Sequence, residues 1–496
     1  MQTNARKCLA FSWIGVLLLL PGPAQAWPWD PDLPSDPLAP LALLGSNINI
    51  SHFADNEVES AVAINPLNPK NVVVFSNYET TDALFRAYSF DGGFTWTGGS
   101  ILPGACCDAN AAFDSYGNLF LTYLDTGVEL TYSTDGGVTF ATPVTLAELP
   151  PGNLPGFNSK SLGSGDQPSL AVGPSSVAGQ GAVWVCWSSG MIRVRGAPVT
   201  GLGAVGSFTT AVIPPTSTGN FGDIAVGPAG QVMVTYMNPT GGQGPATIYV
   251  NTDPDGFGAS PFGSRVAVTT TNVGGFDFIP AQSGRSVDAE AGLAFDRTGG
   301  PHNGRVYMVY TEETVAENND TEILLRYSDD NGATWSGPAI RVNDDATTRS
   351  QFNPHISFDQ STGLIAISFH DCRNDGGVPG SGSTNFIVND DAMYYGTWAY
   401  YNAGAALTIA PNFQIAAGVS NDDAAANGID YGDYTGMDFK FGRFFPAWAD
   451  NSNSTGDNPD GTLSRFDLYG TGISIISVVT GPGGTANNVR VHMRAP

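Results

Sequence analysis

Short apolar runs, each opened by an acidic or amide side chain, recur along the whole chain. They span Glu57 to Asn65, Asp108 to Asp114, Asp166 to Val172, Asp223 to Val226, Asp288 to Phe295, Asn353 to Phe358 and Asp433 to Met437. About 13 to 22 residues later each is answered by a second run ending in an aromatic and a nearby polar residue. Those endings are Phe75 to Asn77, Tyr123 to Asp125, Trp187 to Ser189, Tyr236 to Asn238, Tyr310 to Glu312, Phe369 to Asp371 and Trp448 to Asp450. Runs this short, with frequent Gly and Pro between them, predict strands. No long stretch carries the period of a helix.

Seven such units, spaced by about 50 to 80 residues, predict a ring, because a single four-stranded sheet cannot bury both of its faces. The expected fold is all-β: one propeller of four-stranded antiparallel blades over residues 45–496, with seven blades favoured and six the alternative. Asn47 to Phe53 is expected to supply a strand that closes the ring with the C-terminal unit. Residues 27–44, rich in Pro and Leu, read as an extended leader.

A second repeat marks the turns. Ser89 to Trp96, Ser133 to Phe140 and Ser328 to Trp335 share the pattern Ser-x-Asp-x-Gly-x-Thr-aromatic, and Asn251 to Phe262 holds a decayed copy. Such a turn works because Asp caps backbone amides and Gly takes the positive-φ position, while Thr and the aromatic anchor the returning strand. The pattern resembles the Asp box, or BNR repeat, of sialidase-like propellers. That resemblance implies a box between the third and fourth strands of a blade, on the face away from the active site, with a structural role for its Asp. It also implies a glycan-directed site on the opposite face. In sialidases the first of three substrate-binding arginines lies in an Arg-Ile-Pro motif before the first box. Here Arg86 is the only arginine between Trp27 and that box, and the motif is absent.

Composition narrows the function classes. The formal charge is −26, which repels polyanions and argues against binding nucleic acid. Arg6 and Lys7, the apolar run Cys8 to Leu20 and the small-x-small end Ala24-Gln25-Ala26 read as an export signal over residues 1–26. No later run reaches the ~20 apolar residues of a membrane helix. The expected product is a secreted monomer, periplasmic or extracellular. Of its four cysteines, Cys106 and Cys107 are adjacent and could pair with each other or elsewhere, Cys186 reads as a buried apolar residue, and Cys372 completes the set.

The first strand of an antiparallel blade begins on the face where the second strand ends. The two polar sets should therefore meet at one mouth of the central channel, giving an acidic ring suited to acid/base chemistry or to a metal. Hydrolysis of a sugar bond needs one protonated and one ionised carboxyl. The candidates for that work are Asp433, Asp371 and Glu57, with Tyr434 as a nucleophile. Candidate substrate-binding residues are Arg373, Arg349, Arg285, His355, His370, Asp108, Asp166, Asp288 and Tyr431. The loop carrying Asp450, Asp457 and Asp460 is dense in hard oxygen ligands and is the candidate calcium site. No organic cofactor is expected. The leading function is a carbohydrate-active, glycoside hydrolase-like propeller acting on a glycan or glycoconjugate. The alternative is a non-catalytic propeller that binds glycans or proteins at a cell surface.

Overall fold

A computed structural model describes residues 41–79, 83–148, 165–238, 242–316, 318–378, 385–401, 406–425, 429–480 and 489–492. The expected export signal and most of the leader lie outside them. The chain forms a seven-bladed propeller of four-stranded antiparallel blades, and its one described α-helix is the four-residue turn Asp422–Ala425.

Blade 1 is built from Ala61–Ile64, Val72–Ser76, Leu84–Ser89 and Thr97–Ile101. Blades 2 to 6 follow in chain order, their innermost strands being Cys107–Phe113, Asp166–Pro174, Ile224–Val226, Gly292–Phe295 and Gln351–Asp359. Blade 7 takes Gly436–Lys440, Arg443–Asp450 and Asp467–Gly470 from the C-terminal part of the chain and Ile48–Asn49 from the N-terminal part. The same outer edge continues, Leu41–Leu44 pairing with Ile473–Ile476. Part of the expected leader is therefore a strand, and residues 41–49 lock first and last units together.

The core follows from this layout, since each gap between blades is filled by apolar side chains from both neighbours. Val62, Val74 and Phe85 of blade 1 meet Phe445, Ala447 and Leu468 of blade 7. Leu170, Val185 and Trp187 of blade 3 meet Phe120 and Leu130 of blade 2. One further element stands outside the blades. The hairpin Asp277–Ile279 and Gln282–Val287 lies between blades 4 and 5 in sequence. It packs Ile279, Ala281 and Val287 against Phe352, Cys372, Tyr431 and Phe466 of blades 6 and 7 and their adjoining segments.

The three repeated turns join third to fourth strands in blades 1, 2 and 5 and share one hydrogen-bond pattern. Asp91 Oδ1 accepts the Phe94 and Thr95 amides at 2.9 and 3.0 Å while Oδ2 accepts the Thr95 hydroxyl at 2.6 Å. Asp135 and Asp330 make the equivalent bonds to Thr139 and Thr334. These bonds hold the Asp91 carboxyl well below the usual range, Thr95 making the largest contribution. The corresponding turn of blade 4 uses Asp253 on the Asp255 and Gly256 amides.

Ring closure has a polar lock as well as a strand. Asn49, 2 % exposed, donates its amide to Asp467 and accepts the His52 N–H at 3.2 Å. Asn49→Ala removes the donor that faces a buried carboxyl. It is expected to cost about 1–3 kcal/mol, read as a lowered denaturant midpoint at unchanged slope.

Candidate active site

The inner strands do not begin straight. Two residues before the unbroken ladder begins in blades 1 to 6, or three in blade 4, stands a residue with positive φ: Glu59 (57°), Asp108 (56°), Gln167 (43°), Phe221 (55°), Glu290 (38°) and Asn353 (48°). In blades 2, 3 and 6 the ladder shows the accompanying register shift. Blade 7 departs, with Tyr434 at the equivalent place and its left-handed residue, Gly432, two positions earlier. A side chain at Gly432 would meet Glu59 Cγ at 2.4 Å, so the close approach there requires glycine.

The polar members of this ring are wired together. The Asn77 amide donates to Glu59, and Asn77 Oδ1 accepts the Asp108 N–H at 3.0 Å. Asp108 Oδ2 accepts the Gln167 N–H at 3.0 Å. Gln167 Nε2 then reaches Glu290 Oε1 at 3.1 Å and Asp433 Oδ2 at 3.4 Å. Asn353 Nδ2 donates to the Gly432 carbonyl at 3.0 Å.

Into this acidic ring the hairpin inserts one cation. Arg285, 8 % exposed, grips Asp433 with Nε at 3.0 Å and Nη2 at 2.8 Å, and Nη2 also donates to Glu59 Oε1 at 3.0 Å. Its backbone is held as well, because Asp430 Oδ2 accepts the Gly284 and Arg285 N–H groups at 2.9 and 2.8 Å. Burial works against the guanidinium charge, but Asp433 and Glu59 outweigh it and keep Arg285 protonated. The two-pronged contact on Asp433 is the charge-assisted geometry of an ionised carboxylate.

The neighbouring carboxyls behave differently. Burial, with Asp433 adding repulsion, pushes Glu59 up to about 8 even though Arg285 pulls the other way. Burial and the nearby Asp166 push Asp108 up to about 7. Burial also raises the Tyr434 phenol, helped by Asp108, Glu59 and Asp433, and its hydroxyl has no hydrogen-bond partner. The ring thus places carboxyls raised by burial, a guanidinium-bound carboxylate and an unengaged hydroxyl side by side.

The ring opens onto the central channel, a cavity of about 290 Å³ whose lining includes Gln167, Glu290 and Tyr434. That is close to the lower bound of roughly 300 Å³ for small-ligand sites, room for a unit the size of one sugar rather than a polymer. Small side chains such as Ala61, Ala111 and Ala225 keep the bore open. Farther along the channel, half-buried Arg297 donates to the carbonyls of Val172 and Val226 at 2.8 and 3.2 Å.

The structure brings Asp433, Tyr434, Asp108, Asp166, Asp288 and Arg285 to this mouth, Asp166 acting electrostatically on Asp108 and Asp288 Oδ1 accepting the Glu290 N–H at 2.9 Å. His355 lines the channel itself, where burial depresses its pKa against the pull of Asp223. Other candidates go elsewhere. Glu57 is buried among Ser51, Asp467, Asp460 and Asp55 rather than beside Glu59. Asp371 is buried in a pair with Arg373, whose guanidinium also binds Asp344 and Asn412 and covers the Tyr395 ring. Arg349 donates to the Asp375 carbonyl at 2.8 Å. His370 stacks on Phe352 and Tyr431 packs against both rings, tilted to one and edge-on to the other, all buried. Burial drives the His370 pKa down to about 3, so it is a neutral core ring and not an acid or base at the mouth.

The carboxylates of the expected calcium loop all act on buried Asp467 but are not gathered within 4.8 Å of one another. Asp450 is buried and accepts the Trp448 indole N–H at 3.0 Å, Asp457 faces His52 at 3.6 Å, and Asp460 accepts the Asp55 N–H at 2.8 Å. Cys106 and Cys107 form a disulfide just before Asp108, while Cys186 and Cys372 are free and buried. No helix among the described residues is long and apolar enough to cross a membrane.

No family model matches the chain, and no curated protein does. Among solved structures, a protein of unknown function from Dyadobacter fermentans is similar at 11% identity and a TM-score of 0.44, over 88% of this chain and 99% of that one. A GH93 α-L-arabinofuranosidase of Fusarium graminearum, in complex with arabinobiose, is similar at 14% identity and a TM-score of 0.40, over 71% and 97%. AofleA from Arthrobotrys oligospora is similar at 9% identity and a TM-score of 0.39, over 77% and 91%. Likeness at this level assigns no activity.

The raised carboxyls carry a sign for stability. A carboxyl that titrates higher in the folded chain than in the unfolded one favours folding while protonated, and this contribution is lost as pH rises through the folded value. The melting temperature is expected to fall between pH 5 and pH 8. In Asp108→Asn, which cannot ionise, the fall should be shallower; an unchanged slope would place the Asp108 pKa in the ordinary range.

Proposed function

We propose that the protein is an exported, glycoside hydrolase-like propeller that acts on a glycan end seated in the channel mouth. One observation carries this reading: a single connected ring holds Asp433 as a carboxylate and Asp108 as an acid poised to about 7. Separating the protonation states of two carboxyls by their surroundings is how acid and base roles are divided in sugar-bond hydrolysis. In this mechanism Asp108 gives its proton to the departing glycosidic oxygen. Asp433 faces the anomeric centre, either attacking it or activating the water that does. Gln167 spans the two, its backbone on Asp108 and its amide on Asp433. Glu59 accepts from Arg285 and from the Asp433 N–H and so holds the guanidinium in place, and the free Tyr434 hydroxyl supplies a contact to the sugar or to the reacting centre. The three Asp-box-like turns, on the face opposite this mouth, support a kinship with sialidase-like propellers. The missing Arg-Ile-Pro motif argues against sialic acid as the substrate.

A second reading has its own support. Arg285, Glu59 and Asp433 satisfy one another while each is less than a tenth exposed. That favours a propeller which binds a glycan or protein at this face without turning it over.

Glycan release by the full chain from sialylated, neutral and uronic-acid panels separates the two. Turnover is expected on one class, falling by about 10²–10⁴-fold in Asp433→Asn and in Asp108→Asn. Folded protein that releases nothing across the panel would favour the binding propeller.

A further inference from the structure

Away from the mouth's ring, on the loops and strand start of blade 6 beside the hairpin, a second acidic group is gathered more tightly than any other described. One carboxylate oxygen from each of Asp375, Asp390 and Asp391 lies within 4.8 Å of the other two. All three residues are buried, at 3 %, 1 % and 2 % exposure. Asp375 follows the second strand of blade 6 on a tight loop, whereas Asp390 and Asp391 lead into the third strand, Asp391–Tyr401. Backbone amides hold the first carboxylate in place: Asp375 Oδ1 accepts Gly377 N–H at 2.8 Å and Oδ2 accepts those of Asn389 and Asp390 at 2.6 and 2.9 Å. Asn421 Nδ2 bridges the other two, reaching Asp390 Oδ2 at 3.2 Å and Asp391 Oδ1 at 2.7 Å.

Two buried polar atoms nearby are incompletely satisfied. Asp390 Oδ1 receives no N–H, although its other oxygen is held by Asn385 and Asn421, and its carboxyl lies within hydrogen-bond reach of the Asp375 carboxyl. The Tyr431 hydroxyl, 0 % exposed, has no hydrogen-bond partner, and the groups that act on it are the Cys372 thiol and the carboxylates Asp422, Asp391 and Asp450. No ion pair reaches Asp375 or Asp390 among the described residues. Arg349, which lies close by, spends its Nε on the Asp375 backbone carbonyl. Three acidic groups desolvated together repel one another unless a cation compensates. Their all-oxygen chemistry matches a hard divalent ion that accepts irregular geometry.

We propose that Asp375, Asp390 and Asp391 form a calcium site, distinct from the loop of Asp450, Asp457 and Asp460. The ion ties the loop after strand two of blade 6 to the start of strand three. Through Asn421 it also holds the start of the turn Asp422–Ala425, whose Asp423 accepts from Ser283 of the hairpin. The role is structural, and it stands whether or not the mouth is catalytic.

The test is calcium titration of the full chain after chelator treatment, by calorimetry and equilibrium dialysis, with magnesium as the competing ion. One calcium per chain is expected, with a raised melting temperature. Asp390→Asn and Asp391→Asn should each weaken binding at least tenfold and abolish the thermal shift, whereas Asp457→Asn with Asp460→Asn should leave both unchanged. Terbium provides a check that does not depend on the acidic variants folding. Tyrosine-sensitised terbium emission, displaced by calcium, should drop by more than half in Tyr431→Phe. Folded protein that binds no calcium, equal binding in Asp390→Asn, or full emission in Tyr431→Phe would each overturn the site.

Discussion

Each blade has two apolar faces, and only two neighbours can cover both, so the fold stands or falls with closure of the ring. Closure is achieved by taking the outer edge of blade 7 from residues 41–49. It is enforced where Val62, Val74 and Phe85 meet Phe445 and Leu468 across the seam. Because the inner strands must converge on one axis, their side chains face a narrow bore, and small residues such as Ala61, Ala111 and Ala225 are what fit there. The bulges at the heads of the inner strands of blades 2, 3 and 6 follow from the same crowding. They bring Asp108, Gln167 and Asn353 into the polar network at the mouth before the unbroken ladder begins.

What stands at those heads determines the chemistry. With 46 acidic residues against 20 basic ones, the chain cannot pair its carboxyls by number. It uses one cation where several carboxyls converge, and that cation comes from an element outside the repeat. The hairpin carrying Arg285 is not a loose flap, since Ile279, Ala281 and Val287 are packed with Phe352, Tyr431 and Phe466. Rigid delivery matters because a guanidinium shared by Asp433 and Glu59 leaves the rest of the ring uncompensated. Burial and the nearby Asp166 then push Asp108 upward, so charge scarcity itself produces the split between acid and carboxylate.

Much of this was legible in the sequence, and the failures have physical causes. Seven polar-headed apolar runs and three Ser-x-Asp-x-Gly-x-Thr turns were enough for the propeller and for the face on which its polar residues meet. Register was not. Asp166 and Asp288 head their runs, but the left-handed positions fall on Gln167 and Glu290, one and two residues later, and a bulge leaves no compositional trace. Gln167 was overlooked because it carries no charge, yet it links Asp108 to Asp433. The run Phe369 to Asp371 misled for a different reason. Alternation sends His370 into the gap between blades, where aromatic rings surround it, and Asp371 has its own arginine two residues away. Neither fact follows from a strand ending in polar residues. Arg285 was placed near the mouth, but its pairing with Glu59, 226 positions away, depends on where the ring closes.

The left-handed residues argue that the mouth is more than a seal. An L-residue in that conformation costs on the order of 1–2 kcal/mol, least for Asn and Asp. Glycine would remove the cost, and blade 7 shows that the ring accepts it at Gly432. Glu59, Gln167 and Glu290 nonetheless bear the strain, and each aims a long polar side chain into the network around Asp433. If the ring served only to close the channel, apolar side chains could do so without burying carboxyls. Strain and desolvation are both concentrated where the half-buried Gln167, Glu290 and Tyr434 face the cavity. A site that keeps polar groups strained, partly protonated and in contact with an open channel is organised for a ligand that will use them.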